Sequence, residues 1–187
     1  YKIKRSLLKN TLTSGDEYKK ILDHIFQAQK TYKLLIININ YINNYSNIRN
    51  NNMINRNYKI TKNQIKSELL MDFKKISPSI WFAYINKDNT NNENLSGRKL
   101  GLNLDLLLPK NFVLKKSIMA FNMKYSGNAF SSIGHEMLEG LPNGKGMEIH
   151  LSILKSINKT SFSIQYNGRL NKDQLIHNAR FELKKYF

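Results

Sequence analysis

The sequence predicts an all-β chain: an antiparallel up-and-down meander forming a transmembrane β-barrel of about 8–10 strands, or the carboxy-terminal part of a larger barrel. Three observations predict it. Apolar residues recur at every second position, short and long connections alternate, and the chain closes on an aromatic residue at the end of an alternating segment. One barrel or barrel-fragment domain is expected over 1–187, with 1–31 open between a strand pair and a short helix.

The helix reading of the first thirty residues places a cap at Ser14 or Asp16 and Tyr18, Ile21, Leu22 and Ile25 on one face. From residue 33 onward the period is two. Leu35, Ile37, Ile39 and Tyr41 alternate with Asn38 and Asn40. Ile65, Leu69, Met71 and Phe73 stand against Lys66, Glu68, Asp72 and Lys74. A shorter segment spans 79–86. Leu100, Leu102, Leu104, Leu106 and Leu108 alternate with Gly101, Asn103, Asp105 and Leu107. Met119, Phe121, Met123 and Tyr125 stand against Asn122 and Lys124, and Met147, Ile149, Leu151 and Ile153 against Glu148, His150 and Ser152. Phe162, Ile164 and Tyr166 follow, then Ala179, Phe181, Leu183 and Phe187 against Arg180, Glu182 and Lys184. One apolar row per segment is the pattern of a half-buried strand.

Tight connections are expected at 76–79, 108–111 and 156–160, and long polar ones at 43–61, 86–97, 126–146 and 167–177. Short turns at one end and long loops at the other are the arrangement of membrane barrels. The segments are about as long as the 9–11 residues that cross a membrane, and aromatics gather near their ends.

An apolar row can face a protein core or lipid. On the lipid reading, Leu100, Leu102, Leu104, Leu106, Leu108, Phe121, Phe181 and Leu183 face hydrocarbon, and Phe187 is the terminal barrel signal. Lys66, Glu68, Asp72, Asp105, Lys124, Glu148, Arg180 and Glu182 then face the lumen, where charges pair or meet water.

The net charge of +17 suits a polyanionic partner, and the excess lysine and arginine suit lipid phosphates at the rim. Lysine outnumbers arginine 24 to 6. Asn, Ile and Lys share A/T-rich codons, so base composition competes as an explanation. Absent cysteine excludes a disulfide scaffold and a thiolate metal site. No apolar run is long enough for a transmembrane helix. The chain begins at Tyr1, and the expectation is a piece of something longer.

No catalytic set emerges. His24, His135, His150 and His177 lack metal-ligand spacing, and His135–Glu136 reads as a solvated loop pair. The glycines of 143–146 lack the residues of a phosphate-binding loop. The expectation is no enzyme, no metal and no cofactor.

The carboxy-terminal third, through Glu136 to Leu141, Tyr166 to Arg169 and His177 to Phe187, resembles the ends of large, poorly characterised outer-membrane proteins of Bacteroidetes-type bacteria. Asn178, Ala179 and Lys185 depart from that pattern. The resemblance implies a β-barrel-like fold in the outer membrane, with outer-membrane lipid and the barrel-insertion machinery as partners. It implies no reaction. The function expected is a channel, or the membrane anchor of a larger envelope protein. The alternative is a soluble basic β-protein that binds nucleic acid. It would show aromatics exposed beside Lys and Arg. Here the aromatics lie mostly in the apolar rows, so no nucleic acid is expected.

Overall fold

The structure, a computed structural model, describes residues 2–12, 15–50, 57–157, 160–172 and 174–185. The chain forms ten strands: β1 (Lys2–Leu12), β2 (Gly15–Tyr32), β3 (Leu35–Asn50), β4 (Tyr58–Met71), β5 (Ile76–Asn89), β6 (Asn94–Leu108), β7 (Phe112–Tyr125), β8 (Gly144–Ile157), β9 (Thr160–Asn171) and β10 (Leu175–Lys185). They make one sheet in sequence order, each antiparallel to the next. Among the described residues no ladder joins β1 to β10. One short helix, α1 (Ser132–Met137), lies between β7 and β8.

The sheet is curled. Between β7 and β8, Glu136 bonds Lys19 of β2 and, four residues on, the Gly140 carbonyl accepts from Arg169 of β9. A flat sheet would hold β2 and β9 about 34 Å apart at about 4.8 Å per strand. Four residues reach at most about 14 Å even when extended, and these are coiled, with Gly140 N donating to the His135 carbonyl. The strands therefore wrap around the 126–143 segment and have an inner and an outer face.

On the outer face of β6 stand Leu100, Leu102, Leu104, Leu106 and Leu108. Their cross-strand neighbours include Phe82 and Ile80 on β5 and Ala120 and Ile118 on β7. The row continues through Ile149, Leu151 and Ile153 of β8 and Ile164 of β9 to Phe181 and Leu183 of β10. Leu102 is 55% exposed and Phe181 67%. Among the described residues, every exposed large apolar side chain except Leu34, Leu107, Phe130 and Ile176 lies in this outer row or at its edge.

The buried apolar cluster of the inner face sits at the end where 126–143 enters, while Leu70, Leu107, Val113 and Leu154 lie on the same face at the other end. In the cluster Ile48, Ile60, Ile85, Leu95, Phe121 and Met123 pack against Met137, Leu138 and Leu141. Glycine on the inner face makes room for bulk directly across the ladder. A Cβ on Gly101 would lie 2.3 Å from Trp81, and one on Gly146 would lie 2.4 Å from Phe121.

Of the two readings open for 1–31, the strand pair is the one observed: β1 and β3 offer backbone partners along β2, and ladder bonding overrides a short amphipathic pattern. Three expectations are corrected. Among the described residues, the polar segments 43–61, 86–97 and 167–177 are largely strand, whereas 126–143 is not. Beyond the belt the outer row turns polar and apolar residues are sparse, so the alternation fades while the hydrogen bonding continues. The turn expected at 76–79 lies at 72–75, and Pro78 is already in β5. In β7 the faces are reversed. Phe121 is 4% exposed on the inner face, while Lys124 pairs with Ser96 on the outer face, because the more apolar row of this strand faces the 126–143 segment.

The chain has a single tryptophan, which makes the Gly101 contact measurable. Gly101→Ala is expected to displace Trp81, shift its fluorescence and cost about 1–3 kcal/mol of stability, as overpacking does. An unchanged emission spectrum and unfolding midpoint would contradict the packing described.

Candidate functional site

The inner face carries the polar chemistry. Of the residues expected in the lumen, Lys66, Glu68, Asp105, Glu148, Arg180 and Glu182 lie on it. Lys66 is 3.6 Å from Glu68, Asp105 is 3.6 Å from Lys115, and Arg180 is 3.0 Å from Glu182. Asp72 sits past the end of β4 and accepts from Ser77 Oγ. Lys124 is outside, as given above. Of the residues expected to face lipid, the five leucines, Phe181 and Leu183 are on the outer face and Phe121 is not. Phe187 lies outside the described residues. Among the described residues no cluster of His, Asp or Glu could hold a metal ion.

The densest charge cluster lies where the 126–143 segment enters the curl. Ser131 Oγ accepts from Gly134 N and caps α1. The helix ends at Met137, and Met137, Leu138 and Leu141 are buried in the apolar cluster. Burying those three points the intervening glutamates at the wall. Glu136 accepts from Lys19 of β2 and from Tyr58 Oη of β4 at 2.8 Å. Glu139 meets three lysines from consecutive strands: Lys62 of β4 at 2.6 Å, Lys87 of β5 at 3.3 Å and Lys99 of β6 at 2.7 Å. Lys87 is 5% exposed and also donates to the Glu136 carbonyl at 2.9 Å. Arg169 of β9 pairs with Glu148 of β8 and donates to the Gly140 carbonyl at 2.8 Å.

Partial burial works against the charge on Glu139, but Lys87, Lys62 and Lys99 outweigh it and hold the carboxyl well below its ordinary 4.5. Its backbone is left-handed, with φ at 57°, a conformation costly for a residue with a Cβ. The three lysines therefore fix a conformation that the chain does not prefer.

Beyond this segment, toward the short turns, the interior is mixed, with Trp81 and Leu70 beside polar side chains. A cavity of about 490 Å³ is lined by Glu68, Ser79, Asn103, Asp105, Ser117 and His150, among others. Ser117 donates to Asn103, Asn103 to Ser79, and Ser79 to Glu68. The 126–143 segment thus fills part of the curl at the long-loop end, beside a cavity of about 890 Å³ that Leu138, Gly140, Arg169 and Asn171 help to line.

Glu139, Lys62, Lys87, Lys99 and Arg169 were not among the candidate residues read from sequence, and Glu136, expected in a solvated loop pair, is instead bound by Lys19 and Tyr58. One signal pointed to them. The supposed polar loop 126–146 contains Met137, Leu138 and Leu141, which a solvated loop has no reason to carry. No family model matches the sequence, and no curated protein matches it significantly.

The depressed carboxyl gives a pH prediction. The stabilisation from Glu139 is complete above its unfolded value of 4.5 and is lost only as pH falls through the lower folded value. Protection of the 132–141 amides from hydrogen exchange is expected to hold from about pH 7 to pH 4.5 and to fail only in stronger acid. Glu139→Gln should abolish the acid step. A loss of protection centred near 4.5 would show that the lysines do not hold this carboxylate.

Proposed function

We propose that the chain is a β-barrel of the bacterial outer membrane, a channel whose lumen is closed at rest by residues 126–143. The observation that carries this reading is the division of the sheet. Exposed Leu, Ile and Phe form a belt around the outside, and most charged side chains level with it point inward, the outward exceptions being Lys116, between Leu104 and Leu151, and Lys30, beside Ile37. Soluble chains rarely expose so continuous an apolar surface, and an apolar exterior over a polar interior is the rule for membrane barrels. Ten is an even strand number, as in single-chain bacterial barrels.

The registers support closure. A line across the ladder from Leu175 in β10 runs through Ala120 and Phe82 to Ala28 in β2, and there it has already passed Ile25, the partner of Lys2 in β1. Pairing β1 with β10 along their lengths requires a shift of about twelve residues around ten strands. With about 3.3 Å per residue and about 4.8 Å per strand the tilt is about 40°, inside the 35–45° range of closed barrels. In that register Lys4 faces Glu182 and Ser6 faces Arg180, all on the inner face.

The short-turn end supports a lipid rim. Lys33, Lys74 and Lys110 sit in the turns with φ of 53°, 54° and 58°. Asn fits that conformation more easily, and its codons are equally A/T-rich. Base composition therefore does not explain lysine in all three turns, whereas attraction to anionic head groups does. On the other end the corresponding hairpin residue is Asn92.

Against the nucleic-acid alternative, exposed aromatics such as Phe82 and Phe181 lie in the apolar belt. The full chain is expected to need detergent for extraction and to run faster on gels before boiling. Lys4→Cys with Glu182→Cys should form a disulfide, which the absence of native cysteine makes unambiguous. Release by salt alone would overturn the barrel and favour the nucleic-acid reading. So would the absence of a link both in K4C/E182C and in the next register, K4C/K184C.

A further inference from the structure

Charge is unevenly shared among the described ion pairs where 126–143 enters the curl. Glu136 pairs with Lys19, and Glu148 with Arg169. Three lysines converge on a single carboxylate, Glu139. They come from β4, β5 and β6 and converge on a point that only a segment entering from outside the wall fills. The wall does not create that carboxylate; a strained loop residue delivers it. Nearer the short turns, past Trp81, lies the cavity of about 490 Å³.

We propose that Lys62, Lys87 and Lys99 form an anion-selective constriction, that Glu139 occupies it as an internal anion, and that release of residues 126–143 opens the path. This inference rests on the barrel reading above. The ligand chemistry is set by the lysines: compact, strongly hydrated point charges without the planar fork of arginine, suited to small inorganic anions or short carboxylates. Size agrees, since an eight-stranded barrel is filled by its own side chains and ten strands leave only a little more.

The segment can leave without rebuilding the wall. Its polar hold consists of the Glu136 and Glu139 contacts, the Arg169 bond to the Gly140 carbonyl and a few bonds at its ends, including Asn143 with the Tyr125 backbone. The barrel ladders do not pass through it. Its apolar hold is Met137, Leu138 and Leu141, with Ala129 and Ile133 packed beside them.

The test uses the full chain in planar phospholipid bilayers under a potassium chloride gradient. The wild type should conduct rarely. Glu139→Gln removes the internal anion and keeps the shape. It should raise the conducting fraction at least about tenfold, the effect of losing about 1.4 kcal/mol of closure. Its reversal potential should lie toward that of chloride. Adding Lys62→Gln, Lys87→Gln and Lys99→Gln should move the reversal potential away from chloride. Should E139Q not fold, a second variant with 129–141 replaced by a Gly-Ser linker is expected to behave as E139Q does. Two results overturn the inference while leaving the barrel standing. One is a heat-modifiable, β1–β10 cross-linkable protein in which neither variant conducts more than wild type. The other is an open pore whose selectivity ignores the three lysines. A chain that never enters the bilayer and dissolves without detergent overturns the barrel reading and this inference together.

Discussion

The structure depends on one constraint: every strand bonds sideways to its neighbours, so the pleat leaves only two directions for side chains. In β6 one direction carries leucine and the other carries Gly101, Asn103 and Asp105. Repeated across the sheet, that choice places apolar surface outside. Most charged side chains of the mid-strands are then on the inside of the curl, Lys116 beside Leu104 being an exception, and there each must meet water or a partner. The ion pairs Lys66–Glu68, Asp105–Lys115 and Arg169–Glu148, and the chain of hydroxyls and amides through Ser79, Asn103 and Ser117, follow from that placement.

The same constraint explains the inner apolar cluster. Where the outer face turns polar, at Asn86, Ser96 and Asn122, the inner face carries Ile85, Leu95 and Met123. Those side chains need cover, and Met137, Leu138 and Leu141 provide it. Hydrophobic burial seats the segment, while the glutamates set its depth and rotation. An apolar contact is indifferent to small sliding, whereas Glu139 must reach lysines on three strands at once. Burial thus contributes the larger share of cohesion and the charges contribute the register.

Legibility in the sequence tracks how one-sided each strand's surroundings are. Residues 100–108 were plain because small or polar residues separate the leucines. Residues 112–125 misled because both rows are largely apolar, Ile118 and Ala120 on one side and Met119, Phe121 and Met123 on the other. Hydropathy does not distinguish an apolar loop from any other apolar surroundings, so the stronger row was assigned to the wrong face. The strand ends at 43–50 and 86–89 were hidden for the opposite reason, apolar residues being sparse there. The lysine cluster was invisible in principle. Lys62, Lys87 and Lys99 have no motif spacing, and they meet only because the registers of β4, β5 and β6 bring the three strands to one carboxylate.

Strand length ties the wall to the segment inside it. The strands run from 11 to 18 residues, longer on average than the 9–11 that a membrane crossing requires. The excess in β3 to β7 lies at the long-loop end, where the outer face carries Lys59, Asn86, Ser96 and Lys124. Inside that same stretch sit the apolar cluster and the three lysines. On the barrel reading the blocking segment is therefore held in a collar above the hydrocarbon, and the belt of Leu100 to Leu108 lies below it. On the same reading, bilayer insertion depends on the belt and closure on the collar, so a change at Glu139 acts on closure rather than on the wall's seat in lipid.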